Sequence, residues 1–129
     1  MMRATLLLVA GAFVVGRATA RQDDTPWREY DGHQWASFAP KEKQAYVAGF
    51  LAGTGLAAAE AAAGAAADSA RVHGVLDSLE RSGGLRFAYG HMVYANQLDE
   101  FYWWDNHVPI RLYLALRDIN DGMHRGLER

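Results

Sequence analysis

Nine of the eleven residues from 57 to 67 are alanine, and no other segment limits the fold of this chain as strongly. Alanine is the best helix former because its side chain loses no rotamer freedom in a helix, and it offers little to pack across a pleated sheet. The run prolongs an apolar stripe: Tyr46 and Phe50 are one helical turn apart, with Val47 and Leu51 beside them. Pro40 suits a first helical position, where a missing N–H is harmless. The pattern predicts one long helix from Lys41 to about Ala67, buried in a soluble domain. Gly49, Gly53 and Gly55 each weaken such a helix by about 1 kcal/mol relative to alanine, so they are expected where another backbone comes close. Gly49 and Gly53 also match the small-xxx-small spacing of membrane helix pairs, but Glu60 and the polar run from Lys41 to Gln44 argue against an integral span.

Three further helices follow from periodicity. Asp68 or Ser69 can cap a second, whose apolar face is Val72, Val75, Leu76 and Leu79, and Ser82-Gly83-Gly84 ends it. A third runs from about Phe87 to Trp103, with Tyr94, Leu98 and Phe101 on one face. After Asp105-Asn106-His107-Val108, Pro109 opens a fourth with Leu112, Leu116, Ile119 and Met123 facing the core. No segment alternates as a strand would. The expected fold is all-α, a small four-helix bundle forming one domain over residues 35–129. A mobile polar leader, residues 21–34, precedes it and begins to dock around Trp27, Tyr30 and Trp35.

The first twenty residues read as an export signal. Met1-Met2-Arg3 is a short positive start, Leu6 through Val15 an apolar run, and Ala18-Thr19-Ala20 a small-x-small cleavage pattern. The apolar run is shorter than the roughly 20 residues that span a bilayer. Cleavage near Arg21 would place the mature protein in the periplasm of a Gram-negative bacterium. The whole chain has 13 basic and 15 acidic residues; the signal holds Arg3 and Arg17 and no acid, leaving 11 against 15 and a net charge of −4. Such a balance disfavours nucleic acid and anionic lipid as main partners. Cysteine is absent, which excludes both a disulfide scaffold and a lipidated cysteine.

Side chains able to do chemistry are densest over Asp99-Glu100-Phe101-Tyr102-Trp103-Trp104-Asp105-Asn106-His107. Asp99 and Glu100 are helix neighbours that diverge, an arrangement unsuited to an acid–base pair across a cleft. Asp99, Asp105 and His107 lack any fixed ligand spacing, so no metal and no cofactor are expected. The aromatic rings can engage a protein partner or stack on sugar, or else Phe101 and one tryptophan are core while the acids and Asn106 orient the turn. His73 with Asp77, and His124 with Glu128, have the spacing of ordinary helical hydrogen bonds. The run Asp118 to Gly122 is no calcium loop, because its glycine comes one place early and Arg129 stands where the closing glutamate belongs. Candidate partner-binding residues are therefore Asp99, Glu100, Tyr102, Trp103, Trp104, Asp105, Asn106 and His107.

Two segments together resemble a group of small exported bacterial helical proteins of largely unknown function. The first is Trp35-Ala36-Ser37-Phe38 followed by Lys43-Gln44-Ala45-Tyr46-Val47-Ala48-Gly49-Phe50-Leu51-Ala52-Gly53. The second is Tyr89-Gly90-His91-Met92-Val93, Gln97-Leu98-Asp99-Glu100-Phe101-Tyr102, then Asn106 and Pro109-Ile110. In layout that group is similar to the periplasmic immunity proteins that neutralise type VI secretion amidase toxins. Trp103-Trp104 stand where the group has polar residues, and the immunity proteins' frequent disulfide has no counterpart here. The resemblance implies a non-enzymatic helical binding protein that occludes a protein partner. Alternatives are a small cell-envelope enzyme or metal-binding protein, and a membrane-associated structural protein.

Overall fold

The computed structural model describes residues 24–127, and among them every regular element is helical. The expected export signal at residues 1–20, the start of the leader at 21–23, and Glu128 and Arg129 lie outside the described residues. A 3₁₀ turn at Trp27–Glu29 precedes α1 (Gly32–Ser37), α2 (Pro40–Ala63), α3 (Ser69–Ser82) and α4 (His91–Phe101). A second 3₁₀ turn, Asp105–His107, leads into α5 (Leu112–Leu127).

Docking of the leader begins at Trp27, with the first 3₁₀ turn, and is complete by α1. Asp31 caps α1 through its carboxylate, which accepts from the His33 N–H at 2.8 Å. Gln34 Oε1 reciprocates by accepting from the Asp31 N–H at 3.2 Å, completing a capping box. Upstream, the Arg111 guanidinium donates to the Glu29 carbonyl at 2.7 Å and pairs with its carboxylate at 2.6 Å. The Leu112 N–H donates to the Tyr30 carbonyl at 2.8 Å. This junction also delays the last helix, expected from Pro109, to Leu112: the Leu112 amide is drawn to a partner outside the helix, and the Arg111 carbonyl accepts from the Leu114 and Ala115 amides.

Other ends follow local chemistry. α2 stops at Ala63, short of Ala67, because Gly64 takes a φ of +93° and turns the chain toward Asp68, whose carboxylate caps α3 at the Arg71 N–H. Gly83 closes α3 in the left-handed conformation (φ +71°), with the Gly84 N–H donating to the Leu79 carbonyl at 2.8 Å. α4 is shorter than expected at both ends.

The core lies where α1, the first half of α2, α4 and α5 meet. Trp35, Val47, Tyr94, Ala95, Leu98, Leu112, Ala115 and Leu116 form it, with half-buried rings such as Phe50 and Phe87 closing its side edge-on at 5.0 Å. A buried amide sits inside: Asn120 accepts from the Tyr94 hydroxyl at 2.6 Å and donates to the Arg86 carbonyl at 3.1 Å. Both ends of the amide are satisfied, so burial carries no unpaired-group penalty.

α2 departs most from a buried helix. Only Val47, Gly55, Ala59 and Ala63 of its 24 residues are buried. A side chain built on Gly49 or Gly53 would meet nothing within 4 Å, so neither glycine marks a close backbone approach. Only Gly55 has a near neighbour, with Leu76 3.3 Å from where its Cβ would be. α3 packs chiefly on α2 and has no buried residue; Val72, Val75, Leu76 and Leu79 are half-covered.

Candidate partner-binding site

α4 ends because Tyr102 leaves helical geometry, and the next residue tightens the turn, the Trp103 N–H donating to the Glu100 carbonyl at 3.3 Å. Tyr102 is pulled inward: its hydroxyl donates to the Ile110 carbonyl at 2.7 Å. Gly32 makes room for the ring, since a Cβ there would lie 2.7 Å from Tyr102 Cδ1 and 2.9 Å from the Val108 Cα. Burial, followed by the nearby Asp31 carboxylate, pushes the Tyr102 phenol well above its ordinary range. His107 also turns inward. Its ring stacks on Phe101 at 4.2 Å, and Nδ1 donates to the Phe101 carbonyl at 2.7 Å, the tautomer following from a partner that can only accept. That bond satisfies one of the terminal carbonyls of α4.

With Tyr102 and Phe101 facing the interior, the adjoining indoles are turned out. Trp103 is 81% exposed and Trp104 62% exposed, so neither is core. Their backbone is held from both sides, the Trp104 carbonyl accepting from the His107 N–H at 2.9 Å. Asp99, Glu100, Trp103 and Trp104 line an open hollow of about 420 Å³. Asp105 and Asn106 follow on the exposed side of the second 3₁₀ turn.

Asp99 does a second job. Its Oδ1 accepts from the Trp35 indole N–H at 2.8 Å and from Lys43 Nζ at 2.6 Å, and Lys43 sits 5.0 Å from the Trp35 ring centroid. A carboxylate on α4 thereby ties α1 and α2 to the back of the hollow. Sequence alone does not single out Trp35 and Lys43 as part of this site. Both lie in the segments that carry the family resemblance, but pairing them with Asp99 requires the tertiary fold.

Of the eight candidates, the structure brings Asp99, Glu100, Trp103 and Trp104 together, leaves Asp105 and Asn106 exposed on the adjoining 3₁₀ turn, and turns Tyr102 and His107 into the scaffold. Among the described residues, no three His, Asp or Glu side chains group as metal ligands. Compared with known proteins, the chain matches no family model, no curated protein and no solved structure.

Proposed function

We propose that this chain is an exported, non-enzymatic helical protein, a small four-helix bundle freed of its signal, that binds a protein partner in the periplasm through the ledge at the end of α4. The observation behind this reading is the exposure of two adjacent tryptophans on hydrogen-bonded backbone. Tryptophan buries a large surface at small entropic loss, which is why it dominates interface anchors. The groups that acid–base chemistry would need support binding over catalysis: Asp99 is engaged by Trp35 and Lys43, and His107 Nδ1 by a carbonyl. Toxin neutralisation by occlusion, as in the immunity proteins the sequence resembles, is the most concrete version. Trp103 or Trp104 would be the anchor, with Glu100 and Asp105 setting charge complementarity.

The test is capture of partners from periplasmic extract by the wild-type chain and by a Trp103→Ala/Trp104→Ala variant with an unchanged circular dichroism spectrum. One stoichiometric partner, lost in the double variant and on Asp105→Lys, is expected. A partner retained by the double variant would take the ledge out of consideration.

A second reading has its own observation. α2 is long and apolar enough to cross a membrane by length and composition, and most of it is exposed. A membrane-associated structural protein would stay in the membrane pellet through a carbonate wash, whereas the binding protein proposed here would be released.

A further inference from the structure

The ledge has an unfilled charge requirement, and the molecule contains its own example of how such a requirement is met. At the back of the hollow, Lys43 lies over the Trp35 ring and closes on the Asp99 carboxylate. Aromatic face, cation and carboxylate complete one another there: the ring's quadrupole attracts the ammonium and the carboxylate neutralises it. On the solvent side the same residue types recur without the cation. Trp103 and Trp104 offer indole surface and have no ring or cation partner among the described residues. Among the described residues, Glu100 has only a long hydrogen bond from Gln97 (3.4 Å), and Asp105 makes no ion pair. Among the described residues no lysine or arginine lines the hollow, and Lys43 behind it is already offset by Asp99.

We infer that the hollow seats a basic side chain, arginine or lysine, presented by the partner, with its stem or guanidinium on the Trp103 and Trp104 indoles and its charge against Glu100 and Asp105. This deepens the proposed function and rests on the ledge being the partner-binding surface. A flat guanidinium suits the site best, because it can stack on one indole while donating in its own plane to a carboxylate.

The probe is a short, otherwise neutral peptide with one central arginine, titrated into the full chain while the four indole N–H signals are followed by NMR. The Trp103 and Trp104 signals should shift saturably while Trp27 and the internally bonded Trp35 stay in place. Replacing the arginine by citrulline, which keeps the shape and removes the charge, should weaken binding about tenfold, as should Trp103→Ala. Glu100→Gln, at an exposed position whose carboxylate has a long bond from Gln97, should weaken it about threefold, and the effect should shrink in high salt. Equal binding of the citrulline peptide would overturn the inference, as would failure of the arginine peptide to move either signal. A neutral chitin oligosaccharide shifting those signals when the arginine peptide does not would instead make the ledge a sugar platform. Partner capture separates the two levels. If capture needs Trp103 and Trp104 but is indifferent to Glu100→Gln, Asp105→Asn and salt, the cation seat falls and the binding surface stands. If capture ignores both tryptophans, the surface itself falls.

Discussion

Gly32 shows how one residue without a side chain sets the position of the candidate site. Its N–H donates to the Val108 carbonyl at 2.9 Å, so helix α1 and the segment after the second 3₁₀ turn touch backbone to backbone. A methyl group there meets the Val108 Cα at 2.9 Å, and that atom cannot swing aside as a side-chain tip can. Gly32→Ala is therefore expected to lower unfolding stability by about 1–3 kcal/mol, read from a denaturant midpoint, and to broaden the Trp103 and Trp104 indole signals. An unchanged midpoint would mean the junction relaxes freely. Tyrosines give the second residue-scale prediction. Burial raises the Tyr46 phenol to about 12 from its ordinary 10.0, helped by Tyr30 and Tyr113. A phenol that stays protonated in the folded state while the unfolded chain has lost its proton favours unfolding as pH rises. Stability should be intact below about pH 10 and fall from there through about 12. Tyr46→Phe should flatten that decline, measured as the pH dependence of the urea midpoint.

Elements were readable where their ends carry their own chemistry. Asp68 before α3, Gly83 after it and Pro40 at the start of α2 are local signals, and each sits where its side chain or missing N–H requires. Ends set by distant partners were not readable: α5 starts late because its first amide reaches the Tyr30 carbonyl, and α1 depends on a junction with Arg111. The site divides the same way. Its density of acids and aromatics is evident, but the inward turn of Tyr102 depends on Gly32, far from it in sequence, and on the carbonyl of Ile110 beyond the turn. Gly49 and Gly53 mark no close backbone approach, because alanine-rich sequence looks the same whether a helix is covered or bare. Bare glycines give an opposite prediction to the usual one. Gly49→Ala and Gly53→Ala meet open space and should each stabilise the protein by about 0.5–1 kcal/mol through lower unfolded-state entropy. Thermal unfolding would show it; destabilisation would mean that another molecule packs on this face in solution.

Across the whole molecule, cover is uneven. The buried residues of α1, α4 and α5 converge with Val47 on one core, whereas α3 contributes none to it and leans chiefly on α2. Free energies of local opening should follow that division. Amides of α3 are expected to exchange with deuterium faster than those of α4 and α5 around Leu98, Leu112 and Leu116, and equal protection would show a single cooperative unit. The connection between α2 and α3 adds one more consequence. Gly64 turns there with nothing within 4 Å of a would-be side chain, and the residues after it are exposed as far as Ala66. Extra residues or a grafted tag at that corner would disturb few contacts, while the same insertion at Asp31 and Gly32 would pull the cap, the Arg111 junction and the floor beneath Tyr102 apart. The molecule thus has one corner that tolerates lengthening and another that must be kept residue for residue.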